Sequence, residues 1–150
     1  MIGNMEVTAL RIFTVFGPNQ REDLAIRRFI NAALTGGVAK IYGSGYQVRD
    51  FTYIDDTCNA IRSLIKSVKE LRNHYDIGTG SSVSIMDVIK KISIYLDAPI
   101  KIKYEDEDSF DVTKTIADLD DLQYDAMWKP LVTFDEGLKR QIEWQKKHLI

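Results

Sequence analysis

The sequence predicts an α/β fold with mixed connections. Three features point to it. Runs rich in β-branched and aromatic residues, residues 7–15 foremost, alternate with segments whose apolar positions recur at helical spacing. Two of those segments open on capping-box pairs, Ser84 with Asp87 and Thr133 with Glu136. Two Gly-x-Gly turns, Gly43/Gly45 and Gly78/Gly80, punctuate the β-rich runs.

Taken in order, residues 7–15 read as a buried strand ending at Gly17-Pro18. Leu24, Phe29, Ile30, Ala33 and Leu34 share one face of a helix stopped by Gly36-Gly37. Residues 40–42 and about 47–53 flank Gly43-Ser44-Gly45, a spacing that predicts a hairpin. Cys58, Ile61, Leu64, Ile65 and Val68 mark the inner face of a second helix, with Asp55 or Asp56 as its cap. Residues 75–78 form a short strand. A third helix starts at Ser84 and turns Ile85, Val88, Ile89 and Ile92 inward. Residues 99–104 form a strand, Asp118 caps a short helix to about Tyr124, and a last helix follows Thr133. No repeat, low-complexity tract or linker divides the chain, so it reads as a single domain over residues 1–150.

Composition removes several function classes. The chain has 150 residues, enough for one domain with its own core. With 45% hydrophobic and 28% charged residues it reads as ordinary globular sequence. A net charge of −2 gives no electrostatic case for nucleic acid. The apolar runs are too short to span a bilayer, and Met1-Ile2-Gly3-Asn4 lacks the pattern of a signal peptide. The single cysteine, Cys58, can form no internal disulfide and reads as an inert core thiol. The expectation is a cytoplasmic protein without membrane or nucleic-acid partners. His74 and His148 lie far apart with no cysteine or second histidine nearby, so no metal site is assigned. The acidic run at 105–108 lacks the glycine and alternating ligands of a calcium loop and reads as solvated. No Ser-His-Asp or Cys-His arrangement is suggested, and no catalytic residue is assigned.

The most informative stretch is residues 40–56, KIYGSGYQVRDFTYIDD. Arg49 falls inside its second β-rich run, among residues that favour burial. A guanidinium held on a strand is a rigid fork for phosphate. It can equally pair with Asp50 or another carboxylate.

This stretch resembles the sugar-nucleotide epimerases and dehydratases of the extended short-chain dehydrogenase class. LRIFTVFGP at residues 10–18, YDIGTGS at 75–81, DVTKTIAD at 111–118 and the helix at 134–144 resemble that family's later segments, in the same order. The resemblance implies the C-terminal portion of an extended short-chain dehydrogenase fold. Two strands, near Val7 and Tyr75, belong to the Rossmann sheet, and the rest to a small α/β substrate lobe. It also implies site residues. Arg49 matches the arginine on the nucleotide diphosphate, Lys40 and Tyr42 the strand against the nucleoside, Leu24 and Ala25 the helix start bracketing the nucleotide. Asp111 matches an acid near the ribose, or else caps a turn. Thr14, with Arg21 seven residues on, matches the branch that acts on UDP-glucuronate. A hydroxyl and a guanidinium converging there suit a sugar carboxylate. The alternative is a β-forming threonine and a surface charge.

The same resemblance implies an NAD-binding half that this sequence does not display. Neither Gly-x-Gly pair is completed at the third position, which is Val48 in one case and Val83 in the other. No tyrosine has a lysine four residues on. NAD is therefore the cofactor of the full-length parent family and none is expected for this chain alone. In the segment before the closing loop, Asp108 and Phe110 stand where the family has a cation or glutamine and a glycine. A carboxylate there repels a diphosphate, so affinity for a UDP-sugar is expected to be weak or lost.

The leading expectation is the nucleotide-sugar-binding portion of an NAD-dependent UDP-sugar 4-epimerase, of the UDP-glucose/galactose or UDP-glucuronate type, catalytically incomplete alone. Dehydratases, decarboxylases and reductases share these motifs. The alternative is a non-enzymatic module that pairs with a separate cofactor half or self-associates. The two strands assigned to a larger sheet favour a homo-oligomer.

Overall fold

The computed structural model describes residues 7–67, 70–106 and 112–148. Its first strand, β1 (Ala9–Ile12), passes through Phe13 into β2 (Thr14–Phe16). The chain changes partner at that point. The Phe13 N–H donates to the Ile77 carbonyl and the Thr14 N–H to the Asp50 carbonyl. So β1 pairs in parallel with a later strand, residues His74–Ile77, and β2 with residues Phe51–Tyr53.

Helix α1 (Ala25–Thr35) buries Ile26, Phe29, Ile30 and Ala33, as its apolar spacing requires. Gly36 ends it in the left-handed region (φ 66°), where a Cβ would be strained. Next comes β3 (Val38–Tyr42), then the short strands β4 (Val48–Arg49) and β5 (Phe51–Tyr53). The expected hairpin does not form. β3 pairs in parallel with a distant strand, Lys101–Glu105. β4 pairs antiparallel with residues Val83–Ser84. The glycine turn is used differently. The Gly43 N–H extends the β3 ladder to the Glu105 carbonyl, and the carbonyls of Gly45 and Gln47 accept from Met86 and Ile85. Those amides belong to the first turn of a helix and have no partner inside it.

Helix α2 (Ile54–Ser67) continues directly from β5. Asp55 and Asp56 are therefore inside its first turn, not at a cap. Asp56 is buried and accepts from the amides of Leu131 (3.1 Å) and Val132 (2.9 Å). Its inner stripe runs through Thr57, Ala60 and Leu64. That rotation leaves Ile65 79% exposed and Cys58 exposed, so the cysteine is a surface thiol and not a core one. Val68, assigned to the same face, lies outside the described residues.

After β6 (His74–Ile77) and β7 (Val83–Ser84), helix α3 (Ile85–Leu96) has the expected cap. Ser84 Oγ accepts from the Asp87 N–H at 3.0 Å, and Val88, Ile89 and Ile92 are buried. Strand β8 (Lys101–Glu105) begins two residues later than its β-rich run suggests. Helix α4 (Asp120–Ala126) has Leu119 in the cap position. Asp118 still serves this end, its Oδ1 accepting from the Asp120 N–H. Helix α5 (Phe134–His148) opens as expected, with Thr133 Oγ1 accepting from the Glu136 N–H at 3.2 Å.

Two cores result. The larger packs α1, α3 and α5 around Phe16, Ile41, Phe51 and Tyr53. The smaller lies between α2, α4 and β6, around Leu64, Tyr75, Ile77, Leu122 and Trp128. Burying each large apolar side chain contributes about 1.5–3 kcal/mol. The 7–15 segment is only partly inside. β1 is mostly exposed, Ile12 at 46%, as is Val7 before it at 74%, because among the described residues β6 is the strand's only strand neighbour.

Asp50 sits between β4 and β5 with its carboxylate fully buried. Oδ1 accepts from the Thr79 N–H (2.8 Å) and Oγ1–H (2.7 Å). Oδ2 accepts from the Gly80 (3.0 Å) and Ala117 (3.1 Å) amides. Asp50→Ala strips acceptors from three backbone amides and is expected to cost about 3 kcal/mol or more of unfolding free energy. Gly78→Ala is expected to be damaging for a related reason. Its Cβ would stand 2.3 Å from Ala117 Cβ and 2.8 Å from Asp50 Oδ2. Urea unfolding midpoints check both; wild-type stability in either variant contradicts this account.

Candidate functional site

A cavity of about 230 Å³ opens where β2, the start of α1, β3 and β4 meet. It gathers Thr14, Leu24, Ala25, Lys40, Tyr42 and Arg49, six of the eight residues selected from sequence. Each arrives from a different local signal. Thr14 opens β2, where the chain has just changed strand partner. Leu24 holds the cap position of α1 with extended backbone, and its neighbour Ala25 begins the helix. Lys40 and Tyr42 alternate with buried Ala39 and Ile41, as a half-covered strand requires. Arg49 ends β4, one residue before the Asp50 anchor.

Three cations line the cavity, Arg28, Lys40 and Arg49, and no carboxylate does among the described residues. Arg28 lies over the Tyr42 ring, 5.9 Å from its centroid. Arg49 Nη1 donates to the Val48 carbonyl at 2.9 Å. Lys40 Nζ is 3.6 Å from Glu105 Oε1 across the β3–β8 pair. The Glu105 carboxyl is held below the usual carboxylate range, chiefly by the Lys103 ammonium and less by Lys40. The floor is apolar: Ile26, Phe29, Ile41, Phe51 and Ile85. An apolar floor under a cationic rim suits a ligand with a flat apolar part and an anionic part.

Arg21 is not in this group. Its guanidinium forms a two-bond pair with Asp23 (2.9 and 2.6 Å) and is 74% exposed. It lines a separate depression formed by residues 15–21 with Leu24 and Ile54, where Thr14 takes no part. The expected convergence of a hydroxyl and a guanidinium is not found. The short Arg-x-Asp spacing satisfies the arginine locally instead. Asp111 lies outside the described residues, as do Asp108 and Phe110.

Gln20, Arg28 and Gln47 line the cavity and were not selected from sequence. Two of them carried a usable signal. Arg28 is one helical turn beyond Leu24, and Gln47 is two strand positions before Arg49. Gln20 had none, because its place depends on a turn closed by two local bonds and on one long-range bond to α5. Its Nε2 donates to the Val15 carbonyl, and its Oε1 accepts from Gln141 Nε2 on α5 and from the Arg27 N–H.

Each Gly-x-Gly turn has one glycine packed closely against other protein atoms. A Cβ on Gly45 would meet the Met86 side chain at 3.0 Å, and one on Gly78 would overlap Ala117 and Asp50. No group of three or more metal-ligating side chains occurs among the described residues, and none of their helices is long and apolar enough to cross a membrane.

Residues 2–78 match the model of the NAD dependent epimerase/dehydratase family. The chain belongs to that family. A UDP-glucuronate 4-epimerase of Thermodesulfobacterium geofontis is 35% identical over 97% of this chain and 45% of its own length. Among solved structures, MoeE5 in complex with UDP-glucuronic acid and NAD superposes with a TM-score of 0.90 at 35% identity, over 94% of this chain and 47% of MoeE5. The UDP-glucuronic acid 4-epimerase of Bacillus cereus, in complex with UDP-glucuronic acid and NAD, gives 0.90 at 29% identity, over 94% and 45%. The chain spans about half the length of the relatives it matches. Its fold is the corresponding portion of an extended short-chain dehydrogenase.

The electrostatics of the rim are open to measurement. Glu105 should titrate below the usual carboxylate value, and its contact with Lys40 is held above that midpoint and lost as pH falls through it. In a carboxyl NMR titration, Lys103→Met should raise the midpoint more than Lys40→Met does. The reverse order contradicts the assignment.

Proposed function

We propose that this chain supplies the grip on the nucleotide in an NAD-dependent UDP-sugar 4-epimerase and is catalytically incomplete on its own. The observation that carries the reading is the meeting of Thr14, Leu24, Ala25, Lys40, Tyr42 and Arg49 around one cavity that no carboxylate among the described residues lines. Lys40, Arg28 and Arg49 oppose the charge of a diphosphate, Arg49 from a short strand braced by Asp50. The apolar floor receives the nucleoside. Redox chemistry is assigned to the cofactor half, because these 150 residues contain neither the complete glycine fingerprint nor a Tyr-x-x-x-Lys pair.

Calorimetric titration with UDP tests this. Any UDP affinity of the wild type is expected to be weak and to rest on Arg49, with Arg49→Ala losing about 1.5–3 kcal/mol, the scale for a bond to a charged group. Equal affinity in the two proteins removes Arg49 from the site. Purified chain should also fail to interconvert UDP-sugars with added NAD; turnover overturns the assignment of chemistry elsewhere.

A second reading, an assembly module that self-associates or pairs with a separate cofactor half, is favoured by one observation. Among the described residues β1 pairs with β6 alone, Val7 just before it and Ile12 within it are exposed, and α2 presents exposed Ile65. Exposed apolar surface beside an open strand edge is an association site. Self-association should appear in sedimentation equilibrium and weaken in an Ile12→Lys, Ile65→Lys variant. A strict monomer at high concentration rules out the self-associating form.

A further inference from the structure

Lys40, one of the cations that line the nucleotide cavity, shares a carboxylate with a lysine outside it. The parallel register of β3 and β8 sets Lys40 against Lys103 and Tyr42 against Glu105. Residues in register point to one face of a strand pair, as do residues two apart, so these four side chains share a face. The Glu105 main chain is fixed next to Tyr42, its carbonyl accepting from the Gly43 N–H at 3.0 Å. Glu105 Oε1 stands 3.0 Å from Lys103 Nζ and 3.6 Å from Lys40 Nζ. The first is a hydrogen-bond distance and the second lies beyond one. Lys103 is thus the tighter partner, and it is also the larger cause of the lowered Glu105 carboxyl. Glu105 does not itself line the cavity and reaches it through Lys40. An ammonium on a flexible stem, held only at long range, is free to turn to another anion.

We propose that Lys103 is a positioning residue for diphosphate binding: by holding Glu105 it leaves Lys40 to the ligand, for which Glu105 otherwise competes. Without Lys103, Lys40 becomes the ammonium nearest to Glu105. A diphosphate must then take it from a carboxylate that also repels the ligand. This deepens the UDP-sugar reading and rests on it. The competition concerns the anionic part of the ligand, so the nucleoside alone does not feel it.

The test is an NMR chemical-shift titration with UDP and with uridine on wild type, Glu105→Gln, Lys103→Met and the double variant. Glu105→Gln should bind UDP about two- to fivefold more tightly and Lys103→Met about two- to fivefold more weakly, the scale of a partly exposed ion pair. In the Glu105→Gln background, Lys103→Met should lose its effect, because the residue through which it acts is gone. Uridine should behave alike in all four proteins. If Lys103→Met weakens UDP as much in that background, Lys103 acts directly by its charge and the inference falls. It also falls if Glu105→Gln leaves UDP affinity unchanged, or if uridine shifts together with UDP, which marks a structural effect. In those outcomes the UDP reading stands. If neither wild type nor Glu105→Gln binds UDP, both fall.

Discussion

Everything around the cavity depends on one buried carboxylate. Taking a carboxylate out of water is costly unless every lone pair finds a donor. Asp50 meets that demand with the Thr79 hydroxyl and the amides of Thr79, Gly80 and Ala117. Its backbone reaches further, accepting from the Thr14 N–H and donating to Thr115 Oγ1 at 3.2 Å. One residue thus joins β2, the loop after β6 and the segment before α4. The chain cannot run straight through such a junction. It breaks into β4 and β5, with Arg49 on the cavity side of the break and Phe51 in the core.

The C-terminal helix braces this arrangement from behind. Gly137 lets α5 lie directly on the aromatic cluster, since a Cβ there would stand 2.7 Å from Tyr53 and 2.8 Å from Phe16. Phe134 packs with Phe16 and Phe51 at ring separations of 5.2 and 5.6 Å. Farther along the helix, buried Gln141 accepts from the Gly17 N–H and donates to Gln20, and Gln145 donates to the Arg27 carbonyl. These bonds hold the turn that launches α1 and so set the side of the cavity where Leu24, Ala25 and Arg28 stand. Apolar contact and a satisfied polar seam act on the same helix, which gives the wall one defined position.

The site separates charge by location. Glu105 is tied to Lys103 and Lys40 at the end of the β3–β8 pair, and Asp23 is tied to Arg21 outside the cavity. Both carboxylates are thus engaged, and the described lining carries three cations without strong charge on the chain as a whole. For a ligand such as a nucleoside diphosphate, local arrangement of charge matters more than net charge.

The helices, and the caps of α1, α3 and α5, were legible in the sequence because their signals are short-range. Gly36 after α1, Ser84 with Asp87, and Thr133 with Glu136 act on amides within a few residues. The family, and with it the six residues that meet at the cavity, was legible from the order of short motifs. Strand partners were not. The residues around Gly43 to Gly45 fit a hairpin locally, but β3 gains more by joining β8 while the helix-start amides of Ile85 and Met86 claim the turn's carbonyls. The inner face of α2 was equally hidden. Periodicity defines a stripe but not which neighbour covers it, and α4 and Asp56 rotate the helix so that Cys58 and Ile65 face outward. By itself the sequence determined where the helices and most strands lie, how α3 and α5 begin, and to which family the chain belongs. Only the tertiary structure decided which strands pair, that Arg21 stands outside the cavity, and that Asp50 holds its wall. Those outcomes turn on hydrogen bonds and burial between residues far apart in the chain, whose energies no local pattern carries.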